Sequence, residues 1–204
     1  MPRLFPVFSR ISLIVFIVIF LFAGCTDAPK RRFNELNTSS YISALFGKNV
    51  LVFDDSMPQD SIQFALEALH EQQKYSEFGS ERFALLFKPG IYNLEVTVDY
   101  YVQALGLGRY PQDVLIKGAV QSTTSRSSSG VSNKVTTMFW RGAENFKVVP
   151  LDNEMIYWAV SQAAPYRRMH LVGDINFDKG SWASGGVLAN SFIEGRAGLT
   201  SGQQ

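Results

Sequence analysis

The stretch that decides the fold is Arg82–Val98, which reads RFALLFKPGIYNLEVTV. Its first apolar run, Phe83–Phe87, is followed by a Lys-Pro-Gly break, where proline fixes φ and glycine accepts positive φ. In the second run Leu94, Val96 and Val98 alternate with polar residues, which is the periodicity of a strand with one buried face. The stretch therefore predicts two strands joined by a tight turn.

Length and composition describe one folded domain. The chain has 204 residues, of which 46% are hydrophobic and 18% are charged, and these proportions are typical of a protein with a real core. The 16 glycines and the aromatic content of 13% suit a β protein that is rich in turns. The formal net charge is only +1, so we expect no nucleic-acid partner.

The N-terminal segment reads as an export signal. Arg3 and Arg10 supply positive charge, Ile11–Phe22 is almost wholly apolar, and small residues precede Cys25. Residues 1–24 therefore resemble a bacterial lipoprotein signal peptide, after which Cys25 would be lipidated. An ordinary cleaved signal and an uncleaved anchor are the alternatives, although the apolar stretch is shorter than the roughly 20 residues of a spanning helix. We expect an exported protein that is anchored through Cys25 to the outer membrane or cell surface of a bacterium, or is secreted.

A single cysteine limits the chemistry. Because Cys25 is the only cysteine, the chain forms no internal disulfide and no cysteine-based metal site. The two histidines, His70 and His170, are far apart in sequence and have no further ligands in view, so we expect neither a metal nor a cofactor. Residues 25–48 are largely polar and predict a tether between the lipidated cysteine and the domain.

Strand patterns continue on both sides of the central stretch. Val50–Phe53 is a short apolar strand that stops at Asp54 and Asp55, to which we assign turn and helix-capping roles rather than metal binding or catalysis. The serine-rich segment Gln121–Asn133 is of low complexity and predicts a loop. Further strands are predicted at Tyr100–Gly108, Asp113–Val120, Met169–Val172, Ile175–Phe177 and Val187–Ile193.

A helix is predicted between the first strand and the central stretch. Asp60 can act as its N-cap, with Gln63 three residues later in the position of a capping box. The apolar residues that recur at helical spacing are Ile62, Leu66 and Leu69.

The order of these elements resembles the start of a known superfamily. An Asp-rich turn, the helix sequence SIQFAL at Ser61–Leu66, an apolar strand and PGIY at Pro89–Tyr92 together resemble the pectate-lyase-like proteins. The resemblance implies a mainly β fold, a right-handed parallel β-helix whose N-terminal α-helix caps the open end and covers strand edges. Residues 49–204 would then be the N-terminal coils of a β-helix domain, and an incomplete one, because such proteins are usually longer.

Three further strings are more specific. They are WRGAEN at Trp140–Asn145, WAVSQAAPYRR at Trp158–Arg168 and SGG at Ser184–Gly186. Together they resemble secreted bacterial β-helix proteins that are similar to glycoside hydrolase family 55, the exo-β-1,3-glucanase type. Members often carry a carbohydrate-binding domain of the coagulation factor 5/8 type. Some are labelled adenylyl cyclase, but this sequence has no nucleotide-binding or two-metal cyclase arrangement.

The resemblance implies a carbohydrate-active protein that acts on a polysaccharide or surface glycan by glycoside hydrolysis or lysis. Hydrolysis requires two carboxyl groups placed roughly 5 to 9.5 Å apart across the scissile bond. In the glucanase family the catalytic acid lies far along the chain, so no catalytic residue is assigned to this sequence. The candidate carboxylates in its distinctive half are Glu144, Asp152, Glu154, Asp174, Asp178 and Glu194.

Aromatic, basic and amide side chains are candidates for contacts with a sugar. A tryptophan face can stack on the apolar face of a sugar ring, an arginine can bind an acidic sugar or position a carboxylate, and an amide can bind hydroxyl groups. Packing between coils is the alternative for the tryptophans, and surface ion pairing is the alternative for the arginines. The candidates are Trp140, Arg141, Trp158, Gln162, Arg167, Arg168 and Trp182.

Two other functions stay open at this point. The chain could be a non-catalytic cell-surface module that binds a glycan or a protein, which a groove lined by aromatic residues without a carboxylate pair would favour. It could also be an inactive N-terminal fragment of a longer enzyme, which an open last coil with exposed apolar strand ends would favour.

Overall fold

The computed structural model of the chain describes residues 44–123, 135–178 and 183–199. The predicted signal peptide with Cys25, most of the tether, most of the serine-rich loop and Trp182 lie outside the described residues. No helix in the described ranges is long and apolar enough to cross a membrane.

The described residues form one long α-helix and fourteen β-strands. In chain order these elements are β1 (Val50–Phe53), α1 (Gln59–Gln73), β2 (Phe83–Phe87), β3 (Gly90–Thr97), β4 (Val102–Gly106), β5 (Val114–Gln121), β6 (Gly142–Glu144), β7 (Lys147–Val149), β8 (Ile156–Tyr157), β9 (Ala164–Arg167), β10 (His170–Leu171), β11 (Ile175–Asn176), β12 (Gly186–Ala189), β13 (Phe192–Ile193) and β14 (Ala197–Gly198).

The strands belong to three sheets in which every pairing is parallel. Sheet 1 has the order β1-β2-β4-β6-β9-β12, sheet 2 has the order β3-β5-β7-β10-β13, and sheet 3 has the order β8-β11-β14. From β6 onward each coil of the chain contributes one strand to each sheet, and the next coil adds the neighbouring strand. For example, Ala164 of β9 pairs with Gly186 of β12, 22 residues later. Connections between parallel strands of one sheet are right-handed in nearly all proteins. The predicted parallel β-helix is confirmed.

Inward-facing side chains of successive coils fill the interior. The ring of Phe87 lies 4.9 Å from that of Phe53, 5.5 Å from that of Tyr92 and 5.4 Å from that of Phe146, measured between centroids, so the first coils share one aromatic cluster. The alternation predicted for the central stretch is also found, because Leu94, Val96 and Val98 are buried. Because these inward-facing side chains fill the interior, the residues that alternate with them along each strand face the solvent.

Helix α1 lies against the free edge of sheet 2. Its apolar side contributes Ile62, Leu66 and Leu69 to the core. The structure corrects the predicted cap, because the helix starts at Gln59 after an N-cap at Pro58 that makes no side-chain hydrogen bond. Asp60 instead lies in the first helical turn, where a negative charge opposes the positive end of the helix dipole.

Asp54 and Asp55 lie in a turn, as predicted, but neither caps α1, whose N-cap is Pro58. Asp54 Oδ1 accepts hydrogen bonds from the backbone and hydroxyl of Ser56, and its Oδ2 accepts one from Lys88. These donors, the Ser56 hydroxyl first, lower the pKa of Asp54 to about 2. Asp55 lies against Gly90, where a Cβ atom would meet the Asp55 side chain at 2.5 Å, so only glycine fits at that turn.

Left-handed residues turn the chain at both ends of sheet 1. Before its strands, positive φ angles occur at Tyr101 (61°), Trp140 (53°), Ala163 (53°) and Gly185 (76°). After its strands they occur at Asn145 (67°), Arg168 (51°) and Asn190 (50°). These corners shorten two predicted strands: β4 begins at Val102 rather than Tyr100, and the segment predicted at Val187–Ile193 is divided into β12 and β13.

Candidate functional site

Trp140 is held at the corner that precedes β6, with its ring in solvent. Its backbone N–H donates to the Gln162 carbonyl at 3.1 Å, and its carbonyl accepts from the Tyr101 N–H at 2.7 Å. A bulky residue rarely adopts the left-handed conformation, and these neighbours on both sides hold it there. The Trp140 side chain is 60% exposed. The corner thus presents a large aromatic face outward from the β-helix.

Further aromatic rings extend this face, and we call the group Phe78, Tyr101, Phe139 and Trp140 the aromatic surface. Ring centroids are 6.5 Å apart for Tyr101 and Trp140, 6.4 Å for Tyr101 and Phe139, and 6.5 Å for Phe78 and Phe139. The guanidinium of Arg82 lies 3.5 Å from the centre of the Tyr101 ring and holds that ring in place. Phe78 and Trp140 are exposed, whereas Tyr101 and Phe139 are half-buried between them. Exposed apolar patches are a feature of ligand-binding surfaces.

Gln162 is the predicted site residue that the structure brings beside Trp140. Its carbonyl binds the Trp140 backbone, and its side chain is exposed to solvent. At Gly185, in the next coil, a Cβ atom would lie 3.2 Å from Gln162 Cγ. Gln162 is thus an exposed residue in the coil next to that of Trp140, and an amide side chain can bind sugar hydroxyls.

Arg141 and Trp158 lie inside the coils, so the structure gives them packing roles rather than the predicted surface contact with a sugar. Arg141 is 1% exposed, and its Nη1 donates to the Val98 carbonyl at 2.9 Å and to Ser122 Oγ at 3.0 Å. Burial lowers the pKa of Arg141 to about 10. The Trp158 ring is fully buried, and its indole N–H donates to the Ala164 carbonyl at 3.0 Å. Strand periodicity does not distinguish these buried residues from Trp140.

Arg167 and Arg168 are on the surface, but protein groups already bind both side chains. Arg167 Nη2 lies 2.7 Å from each carboxylate oxygen of Glu144. Arg168 Nη2 donates to the Arg109 carbonyl at 3.0 Å and to Asn145 Oδ1 at 3.2 Å. The ion pairing proposed as the alternative is therefore what the structure shows for Arg167, and Glu144 is its partner.

Most of the other candidate carboxylates also have protein partners. Asp174 binds Arg196 through both its oxygens, and these hydrogen bonds lower the pKa of Asp174. Glu194 Oε1 lies 2.7 Å from His170 Nε2, and Asp178 is buried. Asp152 and Glu154 lie in the exposed turn between β7 and β8.

Glu154 borders a surface cavity of about 240 Å³ between sheets 2 and 3. Glu95, on β3, lies at the edge of this cavity, because its carboxylate lies beside Gly118 of the adjacent strand, and Gly118 is a lining residue. Partial burial, and then the charge of Glu154, raise the pKa of Glu95. The full lining consists of Gly118, Ala119, Gln121, Thr123, Pro150, Glu154, Met155, Ile156 and Tyr157.

Glu95 is not among the site residues predicted from sequence. Its position between Leu94 and Val96 predicts that it faces outward, but nothing in the chain predicts that Glu154 would lie beside it. That neighbourhood depends on how the turn after β7 folds back toward β3 and β5. Across the ranges that the structure describes, no three His, Cys, Asp or Glu residues are placed to hold a metal ion.

No family model matches the chain. The chain is 42% identical over 161 residues to an exo-β-1,3-glucanase of Streptomyces sp. (strain SirexAA-E / ActE), in an alignment that covers 78% of this chain and 26% of the relative. The solved structure of sacteLam55A from Streptomyces sp. SirexAA-E is 41% identical, with a TM-score of 0.68 over 76% of this chain and 28% of that one. A variant of sacteLam55A in complex with glucose gives a TM-score of 0.65 at 41% identity, over 73% and 26% of the two chains.

This chain thus spans about a quarter of the length of the relatives that it matches. The predicted resemblance to β-helix proteins similar to glycoside hydrolase family 55 is confirmed.

Proposed function

We propose that this protein acts on a polysaccharide by glycoside hydrolysis and that the polysaccharide is a β-1,3-glucan. The observation that carries the proposal is the identity of 42% over 161 residues with a Streptomyces exo-β-1,3-glucanase. A β-helix is shared with the solved sacteLam55A structures, one of which is in complex with glucose. Because the similarity covers about a quarter of the relative, the activity is tested on this chain itself.

The aromatic surface supports a role in binding the polysaccharide. Trp140 offers an exposed ring, the half-buried rings of Tyr101 and Phe139 adjoin it, and Gln162 is an exposed residue of the next coil. An aromatic face matches the apolar face of a glucose ring, and an amide can bind its hydroxyl groups. Trp140 and Gln162 are therefore our proposed glucan-binding residues, and Trp182 stays a prediction from sequence.

The partners of the arginines favour a neutral substrate and hydrolysis over lysis. Lysis by elimination acts on acidic sugars, whose carboxylates require cationic groups to bind them. Arg141 is buried, Arg167 is paired with Glu144, and Arg168 binds Arg109 and Asn145. Arg141 is thus closed to an acidic sugar, and Arg167 and Arg168 already bind protein groups, whereas a neutral glucan needs no cation.

We further propose that the protein is exported and anchored to a bacterial membrane through a lipid on Cys25. This proposal rests on the sequence alone, from Arg3 and Arg10 through the apolar stretch to Cys25. A polysaccharide outside the cell would then be within reach of the folded domain.

The function is tested by incubating the purified full chain with a panel of polysaccharides and measuring new reducing ends. The panel contains β-1,3-glucan (laminarin), β-1,4-glucan, starch and polygalacturonate. We expect release of sugar from the β-1,3-glucan only. Binding of β-1,3-glucan without any release would contradict hydrolysis and favour the non-catalytic module. Release from polygalacturonate alone would contradict the substrate.

The role of the aromatic surface is tested separately by co-sedimentation with insoluble β-1,3-glucan. We expect Trp140→Ala to weaken binding about tenfold or more, because it removes the exposed ring face. Tyr75→Ala is the matched control, since Tyr75 is also an exposed aromatic residue, at 69%, but lies outside the aromatic surface. Equal losses in the two variants would show that the aromatic surface has no specific role.

A further inference from the structure

We propose that the cavity between sheets 2 and 3 is a second sugar site that binds one uncharged sugar unit, with Glu95 and Glu154 accepting hydrogen bonds from its hydroxyl groups. The identity of the ligand as a sugar rests on the proposed function. The location is independent of the aromatic surface, which lies at the corner before sheet 1.

Gly118 is what makes room for the first carboxylate. Its φ is +135°, and a Cβ atom there would lie 2.2 Å from the Leu94 carbonyl oxygen and 3.1 Å from Glu95 Oε1. A side chain at this position would therefore collide with β3 and displace the Glu95 carboxylate. Because residue 118 is glycine, Glu95 can lie across the adjacent strand at the edge of the cavity.

The second carboxylate comes from the turn between β7 and β8. Glu154 lines the cavity and lies close enough to Glu95 for the two charges to repel, which contributes to the raised pKa of Glu95. One acceptor group thus belongs to the lining and the other lies at its edge beside Gly118, although the two are far apart in sequence. Carboxylate oxygens accept strong hydrogen bonds from hydroxyl groups.

The lining as a whole is mixed, and polar atoms contribute more of its exposed surface than apolar atoms do. Pro150, Met155 and Ile156 contribute apolar surface, and Gln121 and Tyr157 contribute polar atoms. A sugar ring has the matching composition, with apolar C–H faces and a rim of hydroxyl groups. The volume of about 240 Å³ suits a single ring rather than a longer chain.

The charge of the site selects against acidic sugars. The Glu154 carboxylate lines the opening, the Glu95 carboxylate lies at its edge beside Gly118, and no Lys, Arg or His is among the lining residues that the structure describes. A uronic acid or a sulfated sugar would bring a third negative charge into this place, where like charges repel. The cavity should therefore bind a neutral sugar and exclude an anionic one of the same size.

The test is titration of the full chain with β-1,3-linked glucose oligomers, monitored by calorimetry or by ligand-observed NMR. The variants are Glu95→Gln, Glu154→Gln and the double variant, each of which keeps the side-chain shape. Glu71→Gln is the matched control, because Glu71 is an exposed carboxylate on α1 that binds Lys74. Galacturonate oligomers and Ca²⁺ are the comparison ligands.

We expect each cavity variant to weaken binding of the neutral oligomer by about tenfold, since a hydrogen bond to a charged group contributes on that scale. The control variant should bind as the unchanged protein does, and galacturonate oligomers should bind at least tenfold more weakly. Gly118→Ala, which fills the space under Glu95, should weaken binding as well.

Three results would overturn the inference. One is that binding of the neutral oligomer is lost in Trp140→Ala but unchanged in the double cavity variant, an outcome that leaves the proposed function intact. Another is equal binding of the galacturonate oligomers. The third is that Ca²⁺ binds in a manner that depends on Glu95 and Glu154 while sugar does not. If no sugar binds, the cavity site is excluded and the hydrolysis assay alone decides the proposed function.

Discussion

Gln63 of helix α1 hydrogen-bonds both backbone groups of Glu95 at the free edge of sheet 2. Gln63 Oε1 accepts from the Glu95 N–H at 2.9 Å, and Gln63 Nε2 donates to the Glu95 carbonyl at 3.4 Å. Gln59 Oε1 likewise accepts from the Asn93 N–H at 3.0 Å. The helix thereby offers β3 the donors and acceptors that another strand would offer, and it covers an edge that would otherwise be open to pairing with other chains.

The first prediction concerns this edge. Gln63→Ala should lower the free energy of unfolding by about 1 kcal/mol, because two backbone groups of Glu95 lose their partner. It should also speed hydrogen exchange of the Glu95 amide. Urea unfolding and amide exchange measure the two effects. Gln72→Ala is the control, because it removes only an exposed hydrogen bond to the Glu81 side chain, and it should change stability by less than about 0.5 kcal/mol. An unchanged Glu95 exchange rate in Gln63→Ala would exclude the capping role.

The second prediction concerns an ion pair between α1 and the β-helix. His70 Nδ1 lies 2.7 Å from Asp99 Oδ2, and Asp99 is 4% exposed. The hydrogen bond with Asp99 raises the pKa of His70 above its ordinary value of about 6.5. A histidine whose pKa is higher in the folded than in the unfolded state adds stability below the unfolded pKa, and this stability is lost as pH rises through the folded pKa.

The free energy of unfolding should therefore fall as pH rises from about 6 through the raised pKa of His70. Urea titrations at a series of pH values measure this fall, and His70→Gln should flatten the curve over the same interval. A pH dependence that is identical in the variant and the unchanged protein would show that other groups cause it.

The third prediction separates the neighbours Arg141 and Trp140 by their roles. Arg141→Lys should lower stability by about 2 kcal/mol, because a lysine cannot bind both Val98 and Ser122 while packing under the Tyr100 ring. Trp140→Ala should change stability by less than about 0.5 kcal/mol, since that side chain is largely in solvent. Thermal unfolding of the two variants measures the contrast. The reverse order of stabilities would contradict the assignment of Arg141 to the interior.

The fourth prediction concerns the anchor. When the full chain is expressed in a bacterium that is fed a labelled fatty acid, the label should appear on the protein and should be lost in Cys25→Ala. The protein should then leave the membrane fraction. Ser39→Ala is a neutral control within the predicted tether. Labelling that persists in Cys25→Ala would exclude lipidation at that residue.

The backbone of the fold could be predicted from sequence because it depends on local patterns. Alternation at Leu94, Val96 and Val98 and the break at Pro89 and Gly90 predict β2 and β3 within a residue of their observed bounds. Strand ends at the corners were harder to predict. Tyr101 and Trp140 adopt left-handed conformations that their side chains disfavour, so no propensity indicates where those strands begin.

The candidate site was harder to predict from sequence than the fold, because it depends on contacts between coils. Arg141 and Trp140 are adjacent in sequence, yet one is 1% and the other 60% exposed. The left-handed backbone conformation of Trp140 causes this difference in exposure, and strand periodicity does not predict such a conformation. Glu95 and Glu154 become neighbours only after three strands are stacked, which no spacing in one sequence can show.

The most direct test of the central claim is the origin of the oxygen in the released sugar. The full chain is incubated with β-1,3-glucan in water enriched in ¹⁸O, and the products are weighed by mass spectrometry. Hydrolysis transfers one water oxygen to the new reducing end, so we predict glucose or short glucose oligomers that carry one ¹⁸O atom at that end. Products whose new reducing end carries no ¹⁸O would contradict hydrolysis, and the absence of any product would contradict catalysis by this chain.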